Sequence, residues 1–114
     1  MKKILLTGVI FMSLASIVLA LDEETYVRLT AETVIAAHKF KGNVAGMNQW
    51  LSQTQQQNPV FMSGEWQAYE QSIAADSQNK GRIYERILNA VRSKGYNARI
   101  SSFGGGYTNI DIMD

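Results

Sequence analysis

The sequence predicts a mainly helical α+β fold: about four helices followed by a C-terminal β-hairpin packed on the last helix. Three observations carry that expectation. Four stretches repeat apolar residues at spacings of three and four, and most are bracketed by a capping residue and a stop. The closing residues then switch to strict alternation on both sides of Gly104-Gly105-Gly106. The chain has no cysteine, so an ordinary apolar core must hold these elements together.

The first helix is read over "DEETYVRLTAETVIAAHKF". Asp22 can cap it, and Glu23 and Glu24 place negative charge at the positive end of the helix dipole. Tyr26, Leu29, Thr33, Ala37 and Phe40 recur at helical spacing, widened by Val27, Val34 and Ile35. Lys39 and Lys41 sit at the other end, and Gly42 is the stop. Asn43 then caps "VAGMNQWLSQTQQQ", whose buried side reads Val44, Met47, Trp50, Leu51 and Thr54. Gly46 weakens this helix by up to about 1 kcal/mol if it lies in the interior. Asn58-Pro59 ends it, because the residue before proline avoids the helical region.

Ser63 caps a third helix carrying Trp66, Tyr69 and Ile73, expected to stop near Asp76. "KGRIYERILNAVRSKGY" is the clearest helix: Ile83, Tyr84, Ile87, Leu88 and Val91 form one stripe, and Arg82, Glu85, Arg86, Asn89 and Arg92 form the opposite face. Gly95 is its stop. In the hairpin, Tyr96, Ala98 and Ile100 alternate with polar residues, as do Thr108, Ile110 and Ile112. A lone hairpin is marginal in water, so these isoleucines must pack on the helices.

The N-terminus is a separate element. Lys2 and Lys3 precede the uncharged run "ILLTGVIFMSLASIVLA", and Val18-Leu19-Ala20 has the small-residue pattern of a cleavage site. That describes a secretory signal peptide, residues 1–20, leaving a globular domain over 21–114 in the periplasm or outside the cell. An uncleaved anchor is the rival, since a run of about 17 residues is the shortest that spans a bilayer. The expected mature chain carries 9 Lys and Arg against 10 Asp and Glu, a net charge of −1.

The candidate chemistry is sparse. Gly104–Gly106 precede a strand rather than a helix, and no Walker-type lysine follows, so they read as a turn and not a phosphate cradle. His38 is the only histidine and has no motif around it. Met47, Met62 and Met113 lack the spacing of a copper site and read as gap-filling residues. No cofactor or metal is expected. The strongest signal is charge asymmetry: residues 80–99 hold six basic residues against Glu85, whereas residues 22–32 hold four acids against Arg28. The basic stretch is either a face for an anionic partner or a solvated face balanced by the acidic first helix.

The expected function is therefore that of an exported, non-catalytic envelope protein that binds another protein or an anionic envelope component. Its candidate binding residues are Arg82, Arg86 and Arg92, together with the hairpin-tip aromatics Phe103 and Tyr107. Nucleic acid is not an expected partner, nor is a membrane span after cleavage. A structural subunit of an envelope oligomer and a small periplasmic enzyme using His38, Glu65 or Arg82 are the alternatives.

Overall fold

The computed structural model describes residues 21–103 and 107–113, without the side chains of residues 102, 103 and 107. The expected leader, residues 1–20, and the glycine turn at 104–106 lie outside the described residues. Within them the architecture is the one expected: four helices, then an antiparallel hairpin packed on helices. The helices are α1 (Glu23–Lys39), α2 (Val44–Gln57), α3 (Gly64–Ala74) and α4 (Ser77–Ser93). The strands are β1 (Asn97–Phe103) and β2 (Tyr107–Met113).

Local chemistry sets each boundary. Asp22 accepts from the Thr25 amide at 2.8 Å, and this hydrogen bond holds its carboxyl below the usual range. Asn43 caps α2 through the Gly46 amide, and Ser63 caps α3 through the Trp66 amide. Asp76 caps α4 through the Asn79 amide, so α4 starts three residues before Lys80. Gly42 and Gly95 take φ of +80° and +95°, the left-handed conformation that lets the chain leave a helix end.

α1 is the central helix, in contact with α2, α4 and β2. It accordingly buries Tyr26, Val27, Leu29, Ala31, Ile35 and Ala36, a broader surface than one stripe, while Ala37 is exposed. Leu29 of α1 and Ile83, Ile87 and Val91 of α4 are the largest fully buried side chains and belong to one core cluster. α1 and α4 run in the same direction, because Glu23 at the start of α1 pairs with Arg82 and Arg86 in the first half of α4.

The hairpin register pairs Ala98 with Ile112 and Ile100 with Ile110. Ala98 and Ile110 are buried, and Ile100 and Ile112 pack on the same cluster. β1 lies against α4 and β2 against α1, so the hairpin closes over both helices rather than the last alone.

α2 and α3 are docked by a chain of aromatic rings. Tyr69 and Trp66 flank Tyr26 at 5.0 and 4.7 Å; Phe61 stands edge-on to Trp66 at 5.1 Å and to Trp50 at 6.2 Å. Such tilted and edge-on contacts suit the ring quadrupoles. Phe61, in the turn between α2 and α3, is among the most buried residues. Val44 differs from expectation: it is 73% exposed, because it lies in the first turn of α2 and α1 has already ended at Lys39.

Candidate functional site

The basic stretch is divided by the fold. Arg82 donates from both terminal nitrogens to Glu23 at 2.6 Å, and Arg86 donates to Glu23 at 2.5 Å and to Glu24 at 2.9 Å. The two guanidinium groups hold the Glu23 carboxyl down at about 2, and Glu23 in turn raises both arginines. These two candidate residues thus face the acidic first turn of α1. Arg92 donates from Nε to the Ala98 carbonyl at 3.0 Å, tying the end of α4 to the start of β1. Phe103 and Tyr107 are paired in register as the last rung of the hairpin; their side chains are outside the described set.

Further along α4 the charge is not balanced in this way. The parallel arrangement of α1 and α4 brings their C-terminal ends together, and with them Lys39 and Lys94. Both lysines line a cavity of about 440 Å3 whose other walls are Glu32, Ile35, Ala36, Phe40, Trp50 and Tyr96. Three half-buried aromatics from three parts of the chain meet here. Phe40 follows α1, Trp50 projects from α2, and Tyr96 follows the α4 stop, with His38 edge-on to it at 6.0 Å. Glu32 is shared with Arg28 at 3.6 Å, while Lys39 and Lys94 make no ion pair among the described residues.

A second cavity of about 460 Å3 adjoins the first and shares Glu32, Ile35 and Lys94 with it. It follows the α1–α4 seam over Val27, Ala31 and Ala90. Two alanines at this seam leave a depression that larger side chains would fill. Its charged rims are neutralised in place, Arg28 by Glu32 and Arg86 by Glu24. The two cavities together form a trough with an apolar floor, one balanced end and one lysine-rich end.

Two other cavities lie elsewhere. One, of about 420 Å3, is mostly apolar and is lined by Met47, Leu51, Phe61, Met62 and Trp66 among others. Met62 on its edge is 48% exposed and takes φ of +61°, unusual for a non-glycine residue. The other, of about 280 Å3, holds the Tyr26 hydroxyl, which donates to Glu70 at 3.0 Å, beside Lys80, Tyr84 and Thr108. Burial first, and then the Glu70 charge, push both phenols above their ordinary range. None of these four cavities is lined by His38, Glu65 or Arg82. Among the described residues no group of three His, Asp or Glu is placed to hold a metal ion, and no helix is long and apolar enough to cross a membrane.

Reasoning from sequence singled out Arg82 and Arg86 and passed over Lys39, Phe40, Trp50, Lys94 and Tyr96. A signal for them exists: "HKFKG" and "RSKGY" both end a helix with lysine, a glycine stop and a neighbouring aromatic. It becomes a site only once α1 and α4 run parallel, which no local pattern encodes. No family model, no curated protein and no solved structure matches this chain.

Proposed function

We propose that this is an exported, non-catalytic protein of the cell envelope that binds an anionic envelope component, or a protein presenting one. The observation that carries the reading is the convergence of Lys39 and Lys94, without acidic partners among the described residues, on an aromatic-walled cavity. With the one lining carboxylate, Glu32, set against Arg28 at 3.6 Å, the two lysine charges exceed the two helix C-terminal dipoles, each equivalent to about half a negative charge. The end of the trough is thus a net attractor for anions. Arg92, Phe103 and Tyr107 are the further candidate contacts for a protein partner. Export rests on the leader pattern of residues 1–20.

Native mass spectrometry of the chain, expressed with its own leader and purified gently from the envelope fraction, tests this reading. The expected species begins at Leu21 and carries an added mass that is lost in high salt. A bare chain beginning at Met1 would contradict both halves of the proposal.

A second reading, a structural subunit of an envelope oligomer, draws on the other side of the molecule. Exposed Val44 and Met62 lie on α2 and beside the apolar cavity around Met47 and Leu51. It predicts a mass that is a multiple of the single chain in the same experiment.

A further inference from the structure

We infer that the α1–α4 trough is a binding site for a single-tailed anionic amphiphile. Its acidic headgroup would sit between Lys39 and Lys94, and its apolar tail would run over Ile35 and Ala31 toward Val27. The inference deepens the envelope-binding reading and rests on it.

Three features of the trough point to a ligand with a head and a tail. The first is the separation of charge along it. At the Val27 end every charged rim group has an opposite partner, Arg28 with Glu32 and Arg86 with Glu24. At the other end Lys39 and Lys94 have none among the described residues. Excess positive charge is therefore confined to one end, and the rest offers only apolar floor and the stems of long side chains. A free inorganic anion would use the lysines and leave the floor idle; a neutral apolar ligand would do the reverse.

The second feature is size. Val27 and Phe40 lie thirteen residues apart on and just after α1, which corresponds to about 20 Å along the helix axis. The two adjoining cavities are about 440 and 460 Å3, each within the range of small-molecule pockets of about 300–1,000 Å3. A length of about 20 Å with volumes of that size matches an extended acyl-type chain.

The third feature is the walling of the lysine end. Phe40, Trp50 and Tyr96, each half-buried, line the cavity beside the two exposed lysines, so a headgroup held there would rest against aromatic surface on one side. An ion pair formed against aromatic walls is screened less than one in open water.

The test uses the isotope-labelled chain purified from the envelope fraction after export with its own leader. Sodium dodecanoate is titrated in below its critical micelle concentration and followed by amide and indole NMR. Dodecyltrimethylammonium and dodecyl maltoside serve as cationic and neutral controls, and a short polyglutamate peptide as the acidic-protein control. The inference expects saturable shifts centred on Ala36, Lys39, the Trp50 indole N–H and Tyr96. In a Lys39→Gln/Lys94→Gln variant dodecanoate should bind about tenfold more weakly, the effect of losing two attractive charges. Circular dichroism of that variant should match the parent.

Equal binding of the cationic detergent would overturn the inference. So would shifts confined to the Met47–Trp66 cavity, tighter binding of polyglutamate at the same residues, or no saturation. If dodecanoate fails while lysine-dependent retention on envelope material persists, the amphiphile is wrong and the envelope-binding reading survives. If dodecanoate binds as expected but the chain shows no affinity for envelope material, the site is real and the envelope-binding reading falls.

Discussion

Glu23 does two jobs with one carboxylate. It supplies negative charge to the first turn of α1, and it accepts hydrogen bonds from two arginines of α4. Those arginines hold its pKa at about 2 instead of the ordinary 4.5. A carboxyl depressed in the folded state contributes stability that is complete above its unfolded value and is lost as pH falls through the folded one. Urea midpoints measured from neutral pH downward should therefore drop most steeply between about 4.5 and about 2, and Glu23→Gln should flatten that drop. An unchanged slope in the variant would show that the cluster does not couple α1 to α4. Added salt should shrink the same difference, since both arginines are partly exposed.

Gly46 makes a second residue-scale claim. Helix propensity alone says that Gly46→Ala should stabilise α2 by up to about 1 kcal/mol. The structure reverses the sign. A Cβ there would come within 2.7 Å of the Phe40 ring and 2.8 Å of Asn43, the cap of the same helix. The ring must shift and the cap must loosen, so the expected change is a loss of about 1–2 kcal/mol. Thermal unfolding checks it. Because Phe40 also walls the lysine-rimmed cavity, the substitution should disturb Trp50 fluorescence as well.

At the scale of elements, α4 carries the most weight. Ile83, Ile87 and Val91 are almost completely buried, and the helix touches α1, α3 and β1. Ile87→Ala should cost about 2–5 kcal/mol, a large share of the stability of a domain this size. Asp76→Ala, which removes only the cap, should cost about 1 kcal/mol. Denaturant midpoints of the two variants should differ in that ratio; near-equal losses would mean that α4 is held by its ends rather than by its buried stripe.

Most elements were readable locally. The Asp22, Asn43 and Ser63 caps and the Gly42 and Gly95 stops all lie where the pattern put them, because capping is settled within a few residues. The period-two switch foretold the hairpin face of Ala98, Ile100, Ile110 and Ile112 for the same reason. Phe61 was not foreseen as a core residue, since it lies in a turn and earns its burial from Trp50 and Trp66, two distant rings. Val44 was misplaced because helical spacing says which side a residue occupies, not where the neighbouring helix ends.

For the whole molecule, the charge asymmetry visible in the sequence separates into two parts. The acidic first turn of α1 meets Arg82 and Arg86, so that part of the basic stretch is spent inside the fold. Lys94, at the far end of α4, is carried beside Lys39 by the parallel packing of the two helices. Net charge and its distribution along the chain were legible; the division was not, because it depends on the relative direction of two helices about fifty residues apart in sequence. The central claim is that the Lys39–Lys94 end of the trough captures an anionic component of the envelope. Its most direct test is co-sedimentation of the chain, expressed with its own residues 1–20, with envelope membranes and cell-wall material at low salt, beside the Lys39→Glu/Lys94→Glu variant. The account predicts that the parent pellets, that the doubly reversed variant stays in the supernatant, and that both give the same helical circular dichroism. Equal pelleting of the two proteins, or none by either, would contradict it.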